Sequence, residues 1–313
     1  MLSVTPDSTP LSASELSRLE DSAWNAVNET EPGFLNTVDT LVIAYSGSYY
    51  AEAAAYIAYW PLLLLTGKRI AIGPLEDYLY YMAAYISGDH AVLAFIEPGS
   101  ENNAARLLHV TRAMNIAALI IAPPLPPPVR DFIDEKLHSV IEAASSHLDM
   151  YYILASAKLA LKVLQDGGAG ASQRLRRIRE EYGAITLVYE ELLEQYRTEL
   201  DTLRESIRGG GDVQLYYSTT LRPAARYTAF IARYRYGRRV FTQPLTQLLS
   251  ELASVRGAVG SVIVYSTDVE EDIVKEVEFK LRFKANVNKY LNLRLHTDPL
   301  TAPLYASMIA HNM

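Results

Sequence analysis

The chain has 313 residues, half of them hydrophobic and 21% charged, with a net charge of −7 and no cysteine. That is a globular profile with core material for one large domain or two ordinary ones. The acidic balance argues against nucleic-acid binding, and the lack of cysteine removes disulfides, thiolate chemistry and cysteine metal sites.

The N-terminal stretch MLSVTPDSTPLSASELSRLED has neither the basic region nor the apolar core of a signal peptide. Ser14 is placed to cap a helix running to about Val27. Strand-like runs follow at Leu41–Tyr45, Arg69–Ile72, Ala91–Ile96 and Ile116–Ala122, with helical patterns at Tyr49–Leu65, Leu75–Ile86 and Asn102–Met114. The most apolar stretch, Ala51–Leu65, carries Glu52 and Pro61 and is short for a bilayer, so a cytoplasmic protein without a membrane partner is expected. Pro123–Pro128 closes this unit, because neither a helix nor an inner strand tolerates such a run. A long helical region is predicted from Val129 to about Gln165, then a glycine-rich break, then one charged helix over Ser172–Arg208. Alternation resumes with strand Val213–Tyr217, helix Pro223–Tyr236, strand Arg239–Thr242, helix Leu245–Leu252, strand Ser261–Tyr265, helix Val269–Phe283, strand Tyr290–Leu295 and a terminal helix from about Ala302. Strands alternating with helices of this length call for parallel sheets covered on both faces.

The strand at Leu41 breaks at Ser46-Gly47-Ser48 and passes into an alanine-rich helix. Such a turn puts hydroxyls and free backbone N–H groups at the positive end of a helix, where an anion is favoured. Ser48 alternatively serves as an ordinary helix cap. The pattern recurs. Tyr45-Ser46-Gly47-Ser48 corresponds to Tyr217-Ser218-Thr219-Thr220 and Val92–Phe95 to Val262–Tyr265, at offsets of 172 and 170 residues. The two halves therefore read as a duplication.

These residues resemble the sugar isomerase (SIS) family. The carriers are the strand–Ser-Gly-Ser–Tyr-Tyr-Ala turn, the third strand ending in Glu97-Pro98-Gly99-Ser100-Glu101, and the closing Asp298-Pro299-Leu300-Thr301-Ala302-Pro303-Leu304. The double arrangement is similar to the isomerase half of glucosamine-6-phosphate synthase and to archaeal phosphoglucose/phosphomannose isomerases. The resemblance implies an α/β fold of two flavodoxin-like SIS subdomains, with helix-covered parallel sheets joined by long helices. Residues 1–37 would be an N-terminal tail and helix, 38–165 the first subdomain, 166–211 the helical connection and 212–313 the second subdomain. It also implies a homodimer and a sugar phosphate held at Ser46, Gly47 and Ser48 and at Gly99, Ser100, Glu101, Asn102 and Asn103. Ser48 and Gly99 match the family pattern. Gly47 stands where threonine is usual, Ile96 and Pro98 where two serines would be, and Glu101 in place of a threonine.

Aldose–ketose isomerisation needs a base to move a proton between neighbouring carbons. Ser250-Glu251-Leu252 resembles the family's Glu-Leu-x-His patch, which makes Glu251 the candidate base, with Ser254 in the histidine's place. His296, at the end of a predicted strand, is a second catalytic candidate. No histidine spacing suits a metal, and no dinucleotide or nucleotide-triphosphate motif appears, so no cofactor is expected. The alternative to an isomerase is a catalytically silent module that binds a phosphosugar and regulates or scaffolds.

Overall fold

The structure, a computed structural model, describes residues 10–47, 49–86, 89–167, 173–209, 212–254, 258–284 and 286–313. At 251, 253–254, 258–259, 283–284 and 286–288 the description covers the backbone alone. Two compact units are built on Ser14–Ile185 and on Thr186–Met313.

Apolar runs between polar turns form the strands of the first unit. Its elements are α1 (Ala13–Glu29), β1 (Thr40–Ser46), α2 (Tyr50–Leu65), β2 (Arg69–Pro74), α3 (Leu75–Asp77, continued by a π-helical turn over Tyr78–Met82), β3 (His90–Ile96), α4 (Glu101–Met114), β4 (Ala117–Ala122), α5 (Pro127–Arg130), β5 (His138–Glu142), α6 (Leu148–Asp166) and α7 (Gln173–Gly183). All its strand pairings are parallel, in the order β2-β1-β3-β4-β5. Parallel strands buried on both faces read as unbroken apolar runs. β1, β3 and β4 are accordingly buried along almost their whole length, while the edge strand β2 is not. One face packs Val42, Ala44, Val92, Ala94 and Ile120 against Leu75, Tyr78, Leu107 and Leu108.

α6 holds the first unit together through polar contacts that its apolar sequence hides. Ser156 Oγ donates to the carbonyl of Ala54 in α2 at 2.5 Å, and Tyr152 Oη donates to that of Ile96 at the end of β3 at 2.5 Å. Lys158 lies buried over Trp24 and bonds Glu20 Oε1 at 2.5 Å. Its Nζ also donates to the carbonyls of Tyr182 and Gly183, where α7 ends. Glu20 shares the buried stripe of α1 with Leu16, Ala23 and Val27 and accepts from the N–H of Ile185.

The second unit comprises α8 (Ile185–Gln195), α9 (Arg197–Arg208), β6 (Val213–Tyr217), α10 (Arg222–Tyr236), β7 (Val240–Pro244), α11 (Leu245–Ser254), β8 (Ala258–Thr267), α12 (Glu271–Lys284), β9 (Asn286–Leu295) and α13 (Ala302–His311). Its parallel sheet has the order β7-β6-β8-β9, which repeats the first four positions of the other sheet. On one face Tyr216, Val262 and Val264 meet Leu245, Leu248, Val274 and Val277. The α/β class and the helix-covered parallel sheets are as the sequence implies. In both sheets the chain starts next to one edge and then reverses direction, so a crevice opens at the carboxyl ends of β1/β3 and of β6/β8.

Two expectations require correction. The helix predicted from Val129 to Gln165 is instead α5, the fifth strand β5 and α6. His138-Ser139-Val140-Ile141-Glu142 is only half apolar because β5 lies at the sheet edge. The helix predicted over Ser172–Arg208 is α7, α8 and α9 among the described residues. Its first break falls where Lys158 takes the α7 carbonyls. No helix of the described residues is long and apolar enough to cross a membrane.

Two predictions concern these buried polar groups. Lys158→Met strands the Glu20 carboxylate in the core and should cost about 3–5 kcal/mol in urea unfolding. The double change Glu20→Leu/Lys158→Met should cost much less than the sum of the two single changes. His138 accepts from the N–H of Asp134 at Nδ1 (3.0 Å), so its proton sits on Nε2, 2.9 Å from Thr111 Oγ1. Burial lowers its pKa below 6.5; the Asp134 charge opposes this shift and the Arg112 charge adds to it. With a depressed folded-state value, its contribution is complete above about 6.5 and is lost as pH falls through the folded pKa. Urea melts at pH 7.5 and 5.5 should show this loss in the wild type and a smaller one in His138→Gln.

Candidate functional site

The β1–α2 turn is shaped by a missing side chain. Gly47 has φ of +120°, and a Cβ there would lie 2.3 Å from Glu97 Oε2. Into that space Glu97, the residue after β3, extends its carboxylate. Glu97 Oε1 accepts from the backbone N–H groups of Tyr49 (3.2 Å) and Ala51 (3.0 Å) at the start of α2. Tyr49 gives no side-chain cap of its own. The anion at the positive end of this 16-residue helix is thus a carboxylate of the protein itself. Ser48 lies outside the described residues.

The loop after β3 closes over the same point. Glu97 N–H donates to the Ser46 carbonyl at 2.9 Å, and Ser100 N–H to the Glu97 carbonyl at 3.1 Å. Asn103 spends both amide hydrogens locally, one on Ser46 Oγ (2.7 Å) and one on Glu76 Oε1 (2.8 Å). Arg106 Nη1 reaches Asn103 Oδ1 at 3.3 Å. Gly99, at φ of +88°, donates its N–H to Glu101 Oε1 at 3.0 Å. Ser100 is the N-cap of α4 without a side-chain cap bond, and Asn102 faces solvent. The structure therefore brings Ser46, Gly47 and Asn103 together around Glu97, with Gly99, Ser100 and Glu101 in the adjoining loop. Glu76, Glu97 and Glu101 make this strand end acidic, and each carboxylate raises the electrostatic cost of a phosphate beside it.

The catalytic candidates belong to the second unit. Glu251 lies on α11, and its side chain is outside the described residues. His296 follows β9. Its Nδ1 is 2.9 Å from Asp268 Oδ1, which also accepts from Arg294 Nε at 2.7 Å. Arg294 Nη2 in turn meets Glu271 at 3.2 Å. Tyr196 Oη pins this strand end, donating to the Arg294 carbonyl and accepting from the His296 N–H. Slight burial raises the Asp268 pKa, but the Arg294 bond and the charges of His296 and Arg294 outweigh it and hold the carboxyl below its usual range. A histidine paired with a carboxylate can carry protons, and this one is exposed.

Sequence reasoning named Glu97 in the motif without giving it a role. The available signal was the pairing of Gly47, where a side chain is usual, with a glutamate directly after the third strand. Among the described residues, no group of three or more histidine or acidic side chains is placed to hold a metal ion.

Two α/β units with the same strand order, each with a crevice where that order reverses, give the chain the double SIS fold. Three solved structures illustrate the likeness. The C-terminal domain of glucosamine-fructose-6-phosphate aminotransferase from Francisella tularensis matches at 12% identity and a TM-score of 0.67, over 95% of this chain and 92% of its own. Tagatose-6-phosphate ketose/aldose isomerase from Escherichia coli matches at 13% and 0.61, over 98% and 89%. Glucosamine-6-phosphate deaminase from Thermotoga maritima matches at 13% and 0.58, over 94% and 92%. No family model and no curated protein matches the sequence.

The Gly47–Glu97 contact is open to a direct test. Gly47→Ala adds a Cβ in a left-handed conformation and drives it into the carboxylate, so it should cost about 2 kcal/mol or more in urea unfolding. In a Glu97→Ala background the steric part disappears. A double-mutant cycle should then show Gly47→Ala costing at least 1 kcal/mol less than in the wild type, on the order expected for touching residues.

Proposed function

We propose that the chain is a phosphosugar-binding module of double SIS build that does not isomerise its ligand. Three neighbours with different activities are each named for a sugar 6-phosphate, and this shared chemistry supports the ligand class. The observation that carries the silent reading is Glu97. Its carboxylate already accepts the α2 N–H groups that a phosphate would need. Fold does not fix activity, and the residues at this strand end differ from the family pattern where it would hold phosphate.

A second reading, aldose–ketose isomerisation with Glu251 as base, draws its support from the exposed His296–Asp268 pair at a strand end. Proton NMR of fructose 6-phosphate with the protein in D2O separates the two. The silent module should broaden the ligand lines and leave the C1 proton signal at full intensity. Loss of that signal, or growth of an aldose, would overturn the proposal in favour of the isomerase, and Glu251→Gln should then abolish the exchange. Unchanged lines would remove this sugar phosphate as a ligand altogether.

A further inference from the structure

The duplicated turn of the second unit has no carboxylate at its helix start. β6 pairs with β8 as β1 pairs with β3, with Tyr217 opposite Tyr265 and Tyr45 opposite Phe95. Two residues beyond these partners stand Thr267 and Glu97. Thr267 therefore occupies the place of the carboxylate that fills the first crevice. Its hydroxyl is tied into a capping box with Glu270, donating to Glu270 Oε2 at 2.6 Å. Asp268, the next acid along, is held by Arg294 and His296. Neither carboxylate serves the β6–α10 turn.

That turn contains two hydroxyls without partners. Ser218 is 3% exposed, and its Oγ has no hydrogen-bond partner; the Oγ1 of Thr220 is likewise buried and unpartnered. Ser218 begins the helical turn that leads into the 15-residue α10, yet makes no side-chain cap bond. Its counterpart Ser46 receives a bond from Asn103. A buried unsatisfied hydroxyl is costly, and a native structure retains one where a ligand, ion or water completes it. Leu221 N–H bonds the Ser218 carbonyl and Pro223 has no N–H, so the backbone donors nearest these hydroxyls are those of Thr219 and Thr220 at the start of the turn. Arg222 and Arg226 lie four residues apart and so share one face of its first two turns. Arg226 Nη1 is 3.4 Å from Thr242 Oγ1 on the neighbouring β7. Hydroxyls and the first backbone N–H groups of the turn thus meet at one strand end, ahead of a helix whose first two turns carry Arg222 and Arg226, a donor set that suits a phosphate monoester.

We propose that the Ser218–Arg222 turn of the second unit is a phosphate-binding site and that it holds the phosphate of the sugar ligand. The inference rests on the phosphosugar-binding reading above and moves the site away from the first-unit residues that the sequence resemblance implied. Both hydroxyl oxygens are covered, so the phosphate engages them through a χ1 rotation of each short side chain.

Calorimetric titration of the full chain with fructose 6-phosphate tests the assignment, with fructose as the phosphate-free control. Ser218→Ala/Thr220→Val should weaken binding about tenfold or more, as expected for hydrogen bonds to a charged group. Ser218→Thr/Thr220→Ser should keep wild-type affinity, which separates loss of hydroxyls from loss of structure. Glu97→Gln should not weaken binding. If wild type binds and Ser218→Ala/Thr220→Val binds equally well, the second-unit site is overturned while phosphosugar binding stands. Equal affinity for fructose and its phosphate would also overturn it. Binding of neither removes this sugar phosphate as a ligand, and with it the site proposed to hold its phosphate.

Discussion

The carboxylate of Glu97 at the N-terminus of α2 is the contact around which the first unit's strand ends are organised. It answers two requirements together. A helix start with no side-chain cap needs an acceptor, and a strand leaving a buried sheet with an acidic residue needs donors. Neither requirement could be met in this geometry if residue 47 carried a Cβ. The absence of one atom therefore decides whether the α2 N-terminus faces solvent and ligands or faces the protein. Tyr152 reinforces the arrangement from α6 by bonding the carbonyl of Ile96, the residue just before Glu97.

Both units express the same rule of parallel α/β architecture, in which reversal of strand order leaves a crevice that helices cannot cover. Duplication supplies two such crevices, and side-chain choice makes them different. In the first, Glu76, Glu97 and Glu101 give an acidic, internally bonded surface. In the second, Thr267 replaces the central acid, and Arg222 and Arg226 stand on the first two turns of the helix that follows. One backbone plan thus carries two differently furnished strand ends.

The architecture was legible because central parallel strands must be apolar throughout, and runs such as Val92-Leu93-Ala94-Phe95 admit few alternatives. β5 escaped because an edge strand needs only part of that signal, and His138, Ser139 and Glu142 dilute it. The breaks within the Ser172–Arg208 pattern escaped for a different reason. The first is imposed by Lys158, which takes the last α7 carbonyls. The Ser46–Ser48 turn stood out from its Ser and Gly content after an apolar run, and the loop after β3 only through the family resemblance. The role of Glu97 depends on the position of its carboxylate across 46 to 48 residues of sequence, which no local pattern encodes. The pairing of His296 with Asp268, and the unpartnered hydroxyls at Ser218 and Thr220, are likewise visible only in three dimensions.

The Lys158–Glu20 pair has a consequence for the order in which the chain acquires its structure. The two residues are 138 positions apart, and Glu20 sits in the middle of the stripe that α1 buries. During synthesis at roughly 5–20 residues per second, α1 leaves the ribosome on the order of ten seconds before its partner helix exists. Through that interval its leucine, alanine and valine stripe has no surface to cover it, and a carboxylate in that stripe keeps the nascent helix from being uniformly sticky. The charge that must later be neutralised in the core thus first serves as a solubilising group on an unfinished chain.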